Sequence, residues 1–130
     1  MGGEIINTPL FRNGKIIIQG EASYLASLVA IENNPQSVLD MCASPGGKTA
    51  AMANNNQNAE YTACDIRQSR VELMQKQLAK LDISAEIVTQ DATEFNEQLG
   101  KFDVVICDVP CSALGTVFEH PEVRYSRSEQ

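Results

Sequence analysis

The stretch DMCASPGGKT, residues Asp40–Thr49, carries the strongest structural signal in the chain. The apolar residues Val38 and Leu39 lead into it as a strand, and a helical pattern begins at Gly46, so the stretch predicts a strand, a glycine turn and a helix start. Gly46 and Gly47 lack Cβ atoms, which lets a ligand approach the backbone, and the helix start offers unpaired amide groups. The stretch therefore predicts a ligand site and not merely a tight turn.

Strands and helices alternate from Ser37 onward, which is the pattern of a parallel sheet covered by helices. Strands are predicted over 38–42, 61–65, 85–89 and 102–108, and helices over 46–54, 69–81 and, in a short segment, 94–99. The helix over 69–81 gives the clearest pattern, because its apolar residues recur at steps of three and four. These are Val71, Met74, Leu78 and Leu81.

The first 36 residues are predicted to form an extended segment and a helix. The turn signal Asn13-Gly14 precedes the β-branched run 15–19, which favours a hairpin or an extended entry. Apolar residues at helical spacing over 20–31 predict a helix that packs on the sheet, and Asn-Asn-Pro at 33–35 ends it. The apolar positions are Ala22, Leu25, Ala26, Leu28 and Val29.

The composition limits the environment and the partners. Hydrophobic residues make up 43% of the chain, and neither a membrane-spanning run nor a signal peptide is evident, so we expect a cytoplasmic globular protein. The net charge of −7 argues against strong nucleic-acid binding by this chain alone. Arg67 with Arg70, and Arg124 with Arg127, are local basic pairs whose simpler interpretation is a solvated helix face and a chain end.

The cysteines predict neither disulfides nor a metal site. No CxxC pair occurs, and the chain has a single histidine. The four cysteines are Cys42, Cys64, Cys107 and Cys111.

Acidic residues end the next two strands. Asp65 lies eighteen residues after Gly47, close to the spacing at which a strand-end acid meets the ribose hydroxyls of an adenosine ligand. Asp91 follows the third strand, where a carboxylate and neighbouring amides suit the amino group of adenine, although this residue equally suits the N-cap of the short helix. Together these residues predict a nucleoside ligand.

A phosphate-binding P-loop is the rival interpretation, because Gly47-Lys48-Thr49 resembles the end of that motif. The motif requires a glycine five positions before its last glycine, where this chain has Cys42. Asp40 would also repel a triphosphate, whereas it suits an uncharged or cationic part of a ligand. A nucleoside without phosphates is therefore favoured.

A second signal, Asp108-Val109-Pro110-Cys111-Ser112, follows the fourth strand. Proline fixes the backbone before Cys111 and places its thiol at the carboxyl edge of the sheet, where open α/β folds bind ligands. A single cysteine is more often a buried structural residue. Its position beside a nucleoside site favours a functional role here.

These motifs resemble those of the Sun-type RNA cytosine methyltransferases, over nearly the whole chain. The family's first motif is similar to Asp-Leu-Cys-Ala-Ala-Pro-Gly-Gly-Lys-Thr, matched here at Asp40, Cys42, Ala43 and 45–49. Its later motif, Asp-Ala-Pro-Cys-Ser-Gly-Thr-Gly, is matched at Asp108, Pro110, Cys111, Ser112 and Gly115, and its Gln-x-x-x-Ser segment at Gln19 and Ser23. Ala113-Leu114 departs from the usual Gly-Thr.

The resemblance implies a truncated α/β, Rossmann-like methyltransferase fold with strand order 3-2-1-4 and S-adenosylmethionine as cofactor. Residues 1–36 would pack on the sheet, and 37–130 would form the cofactor-binding half of a single domain. The implied cofactor-binding residues are Cys42, Ala43, Ser44, Pro45, Gly46, Gly47, Lys48, Asp65, Arg70, Asp91 and Asp108. No metal site is implied.

The resemblance also implies a mechanism, in which a thiolate adds to cytosine carbon 6 while an acid hydrogen-bonds ring nitrogen 3. Asp108 would be that acid, and Cys111 would assist elimination, whereas in DNA cytosine methyltransferases the Pro-Cys thiol is itself the nucleophile.

The family's nucleophile follows a fifth strand, and this chain stops at Gln130 before one. We therefore expect an inactive fragment of an rRNA or tRNA cytosine-5 methyltransferase whose RNA contacts lie mainly elsewhere. The alternative is a stand-alone cofactor-binding or interaction module; the oligomeric state stays open.

Overall fold

The computed structural model describes residues 5–109, which form a parallel four-stranded sheet with helices. The strands are β1 (Ser37–Asp40), β2 (Glu60–Asp65), β3 (Glu86–Thr89) and β4 (Val104–Ile106). Their order in the sheet is β3-β2-β1-β4, and β1 pairs in parallel with both β2 and β4. The predicted α/β class and strand order are confirmed.

Four α-helices accompany the sheet within the described residues: α1 (Pro9–Arg12), α2 (Glu21–Ala30), α3 (Gly47–Asn55) and α4 (Gln68–Lys80). Both α3 and α4 begin and end within one residue of their predicted bounds. β1 is shorter than predicted because the chain turns at Met41, whose amide still donates to the Ile106 carbonyl at 2.9 Å. The Ala43 amide donates a hydrogen bond to the Cys64 carbonyl at 2.8 Å. The start of the turn is therefore hydrogen-bonded to the strands on both sides of β1.

Two buried clusters hold these helices to the sheet. In one, Met52 of α3 packs with Val38 of β1 and Tyr61 of β2. In the other, Met74 and Leu78 of α4 pack with Ala43, Ala50 and Ala63. Each fully buried Met or Leu side chain contributes roughly 1.5–3 kcal/mol. The face predicted for α4 is the one it buries, and this packing places the first residues of α3 and α4 at the same edge of the sheet.

The N-terminal predictions were partly wrong. Residues 15–20 contain no strand, so no hairpin forms there and only the extended alternative remains. Helix α2 packs against α3, and Ala30 at its end packs against the buried cluster that includes Val38 of β1. The buried residue of α2 is the small Ser27, while Leu25 and Val29 are 54% and 70% exposed. A small residue at the contact lets two helices approach closely. Apolar spacing predicted the helix but did not predict which of its faces would be covered.

The predicted short helix over 94–99 is a single 3-10 turn, Glu97–Leu99. Asn96 caps this turn by accepting a hydrogen bond from the Gln98 amide. The alternative role of Asp91 as the helix N-cap is therefore wrong. Its carboxylate instead accepts hydrogen bonds from the Thr93 amide at 2.8 Å and the Thr93 hydroxyl at 2.7 Å.

Candidate cofactor site

Four aspartates meet at the carboxyl edge of the sheet. Asp40 ends β1 and Asp65 ends β2, while Asp91 and Asp108 each lie two residues beyond β3 and β4. A cleft of about 550 Å³ opens there, at the edge where open parallel sheets bind ligands. Every predicted cofactor residue except Gly46 lines this cleft. They are Cys42, Ala43, Ser44, Pro45, Gly47, Lys48, Asp65, Arg70, Asp91 and Asp108.

The two glycines of the turn have different roles. Gly46 has a φ of +102°, and a Cβ there would lie 3.1 Å from Leu78 Cδ2 and 3.4 Å from Met74 Cγ. Its missing side chain therefore permits the backbone turn and the close packing of α4, and its predicted part in cofactor binding stays a prediction. At Gly47 a Cβ would have Gln19 Nε2 as its nearest neighbour, 4.0 Å away. Gly47 lines the cleft, so clearance for a ligand applies to this glycine.

Arg70 connects the turn to β2. Its Nη2 donates to the Ser44 carbonyl at 3.0 Å, and its Nε lies 3.4 Å from Asp65 Oδ2. Ser44 Oγ in turn donates to the Arg70 carbonyl at 3.1 Å. The basic pair predicted as a solvated helix face is thus engaged in the site at Arg70. The same contacts hold the Asp65 carboxylate in place at the cleft.

Asp65 keeps hydrogen-bonding capacity for a ligand. It is buried, and its Oδ1 accepts a hydrogen bond from the Arg67 amide at 3.2 Å. An ionised carboxylate has about four lone-pair positions. With Arg67 and Arg70 occupying part of that capacity, Asp65 can still accept hydrogen bonds from the hydroxyls of a sugar.

Asp40 is a buried acid with one unsatisfied oxygen. Its Oδ2 accepts a hydrogen bond from Thr49 Oγ1 at 2.8 Å, whereas its buried Oδ1 has no partner among residues 5–109. Burial raises the pKa of Asp40, and the Thr49 hydrogen bond and the Lys48 charge oppose that rise. The unsatisfied oxygen can accept a hydrogen bond from a ligand in the cleft that Asp40 lines.

This raised pKa predicts a pH dependence of stability. Above the unfolded-state pKa of about 3.9 and up to the higher folded-state pKa, the folded chain holds more protons than the unfolded chain. The Asp40 contribution to the free energy of unfolding therefore falls as pH rises through that window. In urea unfolding, the stability of Asp40→Asn relative to the unchanged chain should increase from about pH 4 to neutrality.

Asp103→Asn is the control with the opposite sign. Hydrogen bonds from the Gln36 and Ser37 amides lower the pKa of Asp103. The unchanged chain should therefore lose its advantage over this variant as pH falls through the folded-state pKa. A constant difference between Asp40→Asn and the unchanged chain across the same pH range would contradict the Asp40 prediction.

Lys48 and Asp108 form an ion pair across the mouth of the cleft. Lys48 Nζ lies 2.5 Å from Asp108 Oδ2, and the Asp108 side chain is 61% exposed. An exposed pair of this kind contributes at most about 1 kcal/mol to stability. Its greater effect is on position, because it holds the Asp108 carboxylate at the cleft. Cys111 lies outside the described residues, so its predicted role stays a prediction.

The thiols of Cys42 and Cys64 are poor nucleophiles. Burial is the largest cause of the raised pKa of Cys42, and burial raises the pKa of Cys64 to about 11. A thiolate, not a thiol, attacks carbon. Cys42 therefore lines the cleft as a neutral residue, and Cys64 is part of the buried strand β2.

Several further residues line the cleft without having been predicted as site residues, and four of them bear on ligand binding. Ile66 follows Asp65 and is 58% exposed, and Gln90 precedes Asp91. Gln19 and Ser23 reach the cleft from the segment before α2 and from α2 itself. For Ile66 the available signal was an apolar residue placed directly after a strand-end acid. Gln19 and Ser23 had been noticed only as part of a resemblance.

Comparison with known proteins identifies the chain at the family level. The family model described as 16S rRNA methyltransferase RsmB/F matches residues 26–130. The chain belongs to this family. Its members are methyltransferases that depend on S-adenosylmethionine, so the predicted family and its cofactor are confirmed.

Individual relatives agree with the family match. The chain is 33% identical over 127 residues to ribosomal RNA small subunit methyltransferase B of Shewanella oneidensis, covering 95% of this chain and 29% of that protein. The solved structure of PH0851 has a TM-score of 0.79 at 32% identity, over 95% of this chain and 29% of the other. NSun6 from Pyrococcus horikoshii with SFG has a TM-score of 0.70 at 27% identity, with coverage of 84% and 29%.

The chain thus spans about 29% of the length of this curated relative. Within residues 5–109, no helix is long and apolar enough to cross a membrane. That part of the chain also has no group of three or more His, Cys, Asp or Glu side chains arranged to hold a metal ion.

Proposed function

We propose that the chain is the S-adenosylmethionine-binding part of a cytosine-5 methyltransferase that acts on ribosomal or transfer RNA in the cytoplasm. The observation that carries the proposal is the convergence of Gly47, Asp65, Asp91 and Asp108 on one cleft. Residues 1–36 and 37–130 would act as one structural domain. RNA would be bound largely by parts of the protein outside this chain, because the chain has a net charge of −7.

The positions of the acidic residues in the cleft suggest how the cofactor would be oriented. Asp65 would bind the ribose hydroxyls above β2, and the region around Gln90 and Asp91 would bind adenine beyond β3. The remaining part of the cofactor would then lie above β1 and β4, beside Asp40 and Asp108. When bound, the cofactor supplies an electrophilic methyl group on a positively charged sulfur. The carboxylates of Asp40 and Asp108 would attract this positively charged sulfur and would repel a phosphate group.

Cytosine activation would involve Asp108 and a thiol. Asp108 would share a proton with ring nitrogen 3, so that this nitrogen gains positive charge and the ring becomes more susceptible to addition at carbon 6. Its ion pair with Lys48 supports the position of the carboxylate at the cleft mouth. Cys111 would assist the elimination that releases the product, and the attacking thiolate would come from beyond Gln130.

Ligand preference tests the cofactor assignment. Calorimetric titration should show that the chain binds S-adenosylhomocysteine more tightly than ATP, because Asp40 and Asp108 disfavour phosphates. Asp65→Ala should weaken the binding of S-adenosylhomocysteine by about 1–3 kcal/mol, the cost of losing a charged hydrogen-bond acceptor. Asp65→Asn, which preserves the side-chain shape, should also weaken it.

Glu72→Ala is the matched control, because Glu72 is an exposed acid on α4 and does not line the cleft. This variant should bind S-adenosylhomocysteine as the unchanged chain does. Tighter binding of ATP than of S-adenosylhomocysteine would overturn the cofactor assignment.

A further inference from the structure

Cys42 and Cys107 lie just beyond the ends of two neighbouring strands. The paired residues Asp40 and Ile106 end β1 and β4, and the Met41 amide still donates to the Ile106 carbonyl at 2.9 Å. Neighbouring strands are about 4.8 Å apart, within the roughly 4.4–6.8 Å between Cα atoms that a disulfide spans. The sheet therefore brings together two cysteines that are distant in sequence.

The thiols of these two cysteines interact directly. They lie within hydrogen-bonding reach of each other, and after burial the Cys107 thiol is the next cause of the raised pKa of Cys42. Both thiols are free, and Cys107 is exposed whereas Cys42 is partly buried. An accessible thiol beside a second thiol that can displace a bound group is the arrangement of redox-reactive cysteines.

A bond between the two sulfurs would act on both walls of the cleft. Cys42 lines the cleft at the start of the glycine turn, and Cys107 precedes Asp108, which forms the ion pair with Lys48. A disulfide joins its sulfurs at about 2.05 Å, closer than two thiols in hydrogen-bonding contact lie. Forming the bond would therefore draw the turn after β1 toward the end of β4 and change the shape of the cleft.

We propose that a low-molecular-weight disulfide oxidises Cys42 and Cys107 to a reversible disulfide, and that this bond weakens cofactor binding. The Cys107 thiolate attacks one sulfur of the oxidant, and the first small thiol leaves. The Cys42 thiolate then attacks the Cys107 sulfur of the mixed disulfide, and the second small thiol leaves. The two cysteines together lose two electrons and two protons, and the oxidant becomes two thiols.

The second step is favoured by proximity. Because it joins two groups that already lie side by side, it gains the high effective concentration of an intramolecular reaction, which offsets the small thiolate fraction of Cys42. Cys64 has no such access to an oxidant, since it is fully buried in β2. The disulfide does not depend on the proposed function, whereas its effect on cofactor binding rests on it.

Peptide mapping tests the pairing. The whole chain is treated with oxidised glutathione and digested, without reduction, with trypsin and with a protease that cuts before aspartate. A cut before Asp108 separates Cys107 from Cys111. Mass spectrometry should find the peptide 40–48 joined to the peptide 103–107, and dithiothreitol should release them. A bond from Cys111 to either cysteine, or two cysteines that stay unlinked, would overturn the inference and leave the cofactor assignment intact.

Calorimetric titration tests the effect on binding. The oxidised chain should bind S-adenosylhomocysteine about tenfold more weakly than the reduced chain, roughly the loss of one well-placed hydrogen bond. Dithiothreitol should restore the binding. Cys107→Ser should bind within about twofold of the reduced, unchanged chain and should no longer respond to oxidised glutathione. Cys64→Ala is the matched control and should keep both the linked peptides and the response.

Two further outcomes separate this inference from the proposed function. Equal binding of S-adenosylhomocysteine before and after the mapped disulfide forms would overturn the proposed effect on the cofactor. Failure of the reduced, folded chain to bind S-adenosylhomocysteine would overturn the proposed function and that effect together, and the peptide map would still decide whether Cys42 and Cys107 pair.

Discussion

Gly46→Ala is expected to lower the free energy of unfolding by about 2–4 kcal/mol and to remove cofactor binding at temperatures where the variant unfolds. Two costs combine in this variant. A φ of +102° is strained for any residue with a side chain, and the added Cβ would meet Leu78 at 3.1 Å and Met74 at 3.4 Å. Urea unfolding followed by circular dichroism measures the loss.

Two glycine variants provide the controls for Gly46→Ala. Gly20 has ordinary φ and no atom within 4 Å of an added Cβ, so Gly20→Ala should change stability little. Gly47→Ala should fold normally and yet weaken S-adenosylhomocysteine binding, because the added methyl group enters the cleft. If Gly46→Ala unfolds at the same urea concentration as Gly20→Ala, the role assigned to Gly46 is wrong.

Loss of the chemical step in the chain ending at Gln130 is the second large effect expected. If the attacking thiolate comes from beyond that residue, the chain should neither methylate cytosine in RNA nor form a covalent adduct with RNA containing 5-fluorocytosine. Cys42 and Cys64 do not supply a substitute, because burial raises the pKa of both thiols. Gel shift under denaturing conditions detects the adduct, and tritium transfer detects methylation.

A longer protein that continues past Gln130 and includes the cysteine that serves as the family's nucleophile should do both reactions. In that version Cys111→Ala should still form the covalent bond and should accumulate the adduct, because the nucleophile is intact while the group that assists elimination is missing. The opposite result has a clear meaning. If Cys111→Ala abolishes the adduct and replacement of the downstream cysteine does not, Cys111 is the nucleophile, as in the DNA enzymes.

Methyltransferase activity of residues 1–130 by themselves would contradict the expected need for a further cysteine. Methylation by residues 1–130 alone would show that Cys111 or another thiol of this chain suffices. Binding of S-adenosylhomocysteine without any contribution to catalysis in the longer version would instead favour the alternative of a cofactor-binding module.

Local sequence was sufficient to predict the sheet and most of the cleft. Strands and helices alternate with clear periods, and parallel strands place their carboxyl ends at a common edge. The sequence distances between Asp40, Asp65, Asp91 and Asp108 therefore predicted one site, and the cleft is lined by all four. The matched family model and the strand order agree with that derivation.

Only the tertiary structure decided which surface each side chain occupies. Periodicity predicted α2 but not that Ser27 would be its buried residue, because an apolar stripe does not specify what covers it. The roles of Gly46 and Gly47 separated in the same way, since one Cβ position faces α4 and the other opens toward the cleft. Arg70 is distant in sequence from Ser44, which it contacts, so the way in which it holds the turn and Asp65 together followed from long-range packing, which a local pattern does not encode.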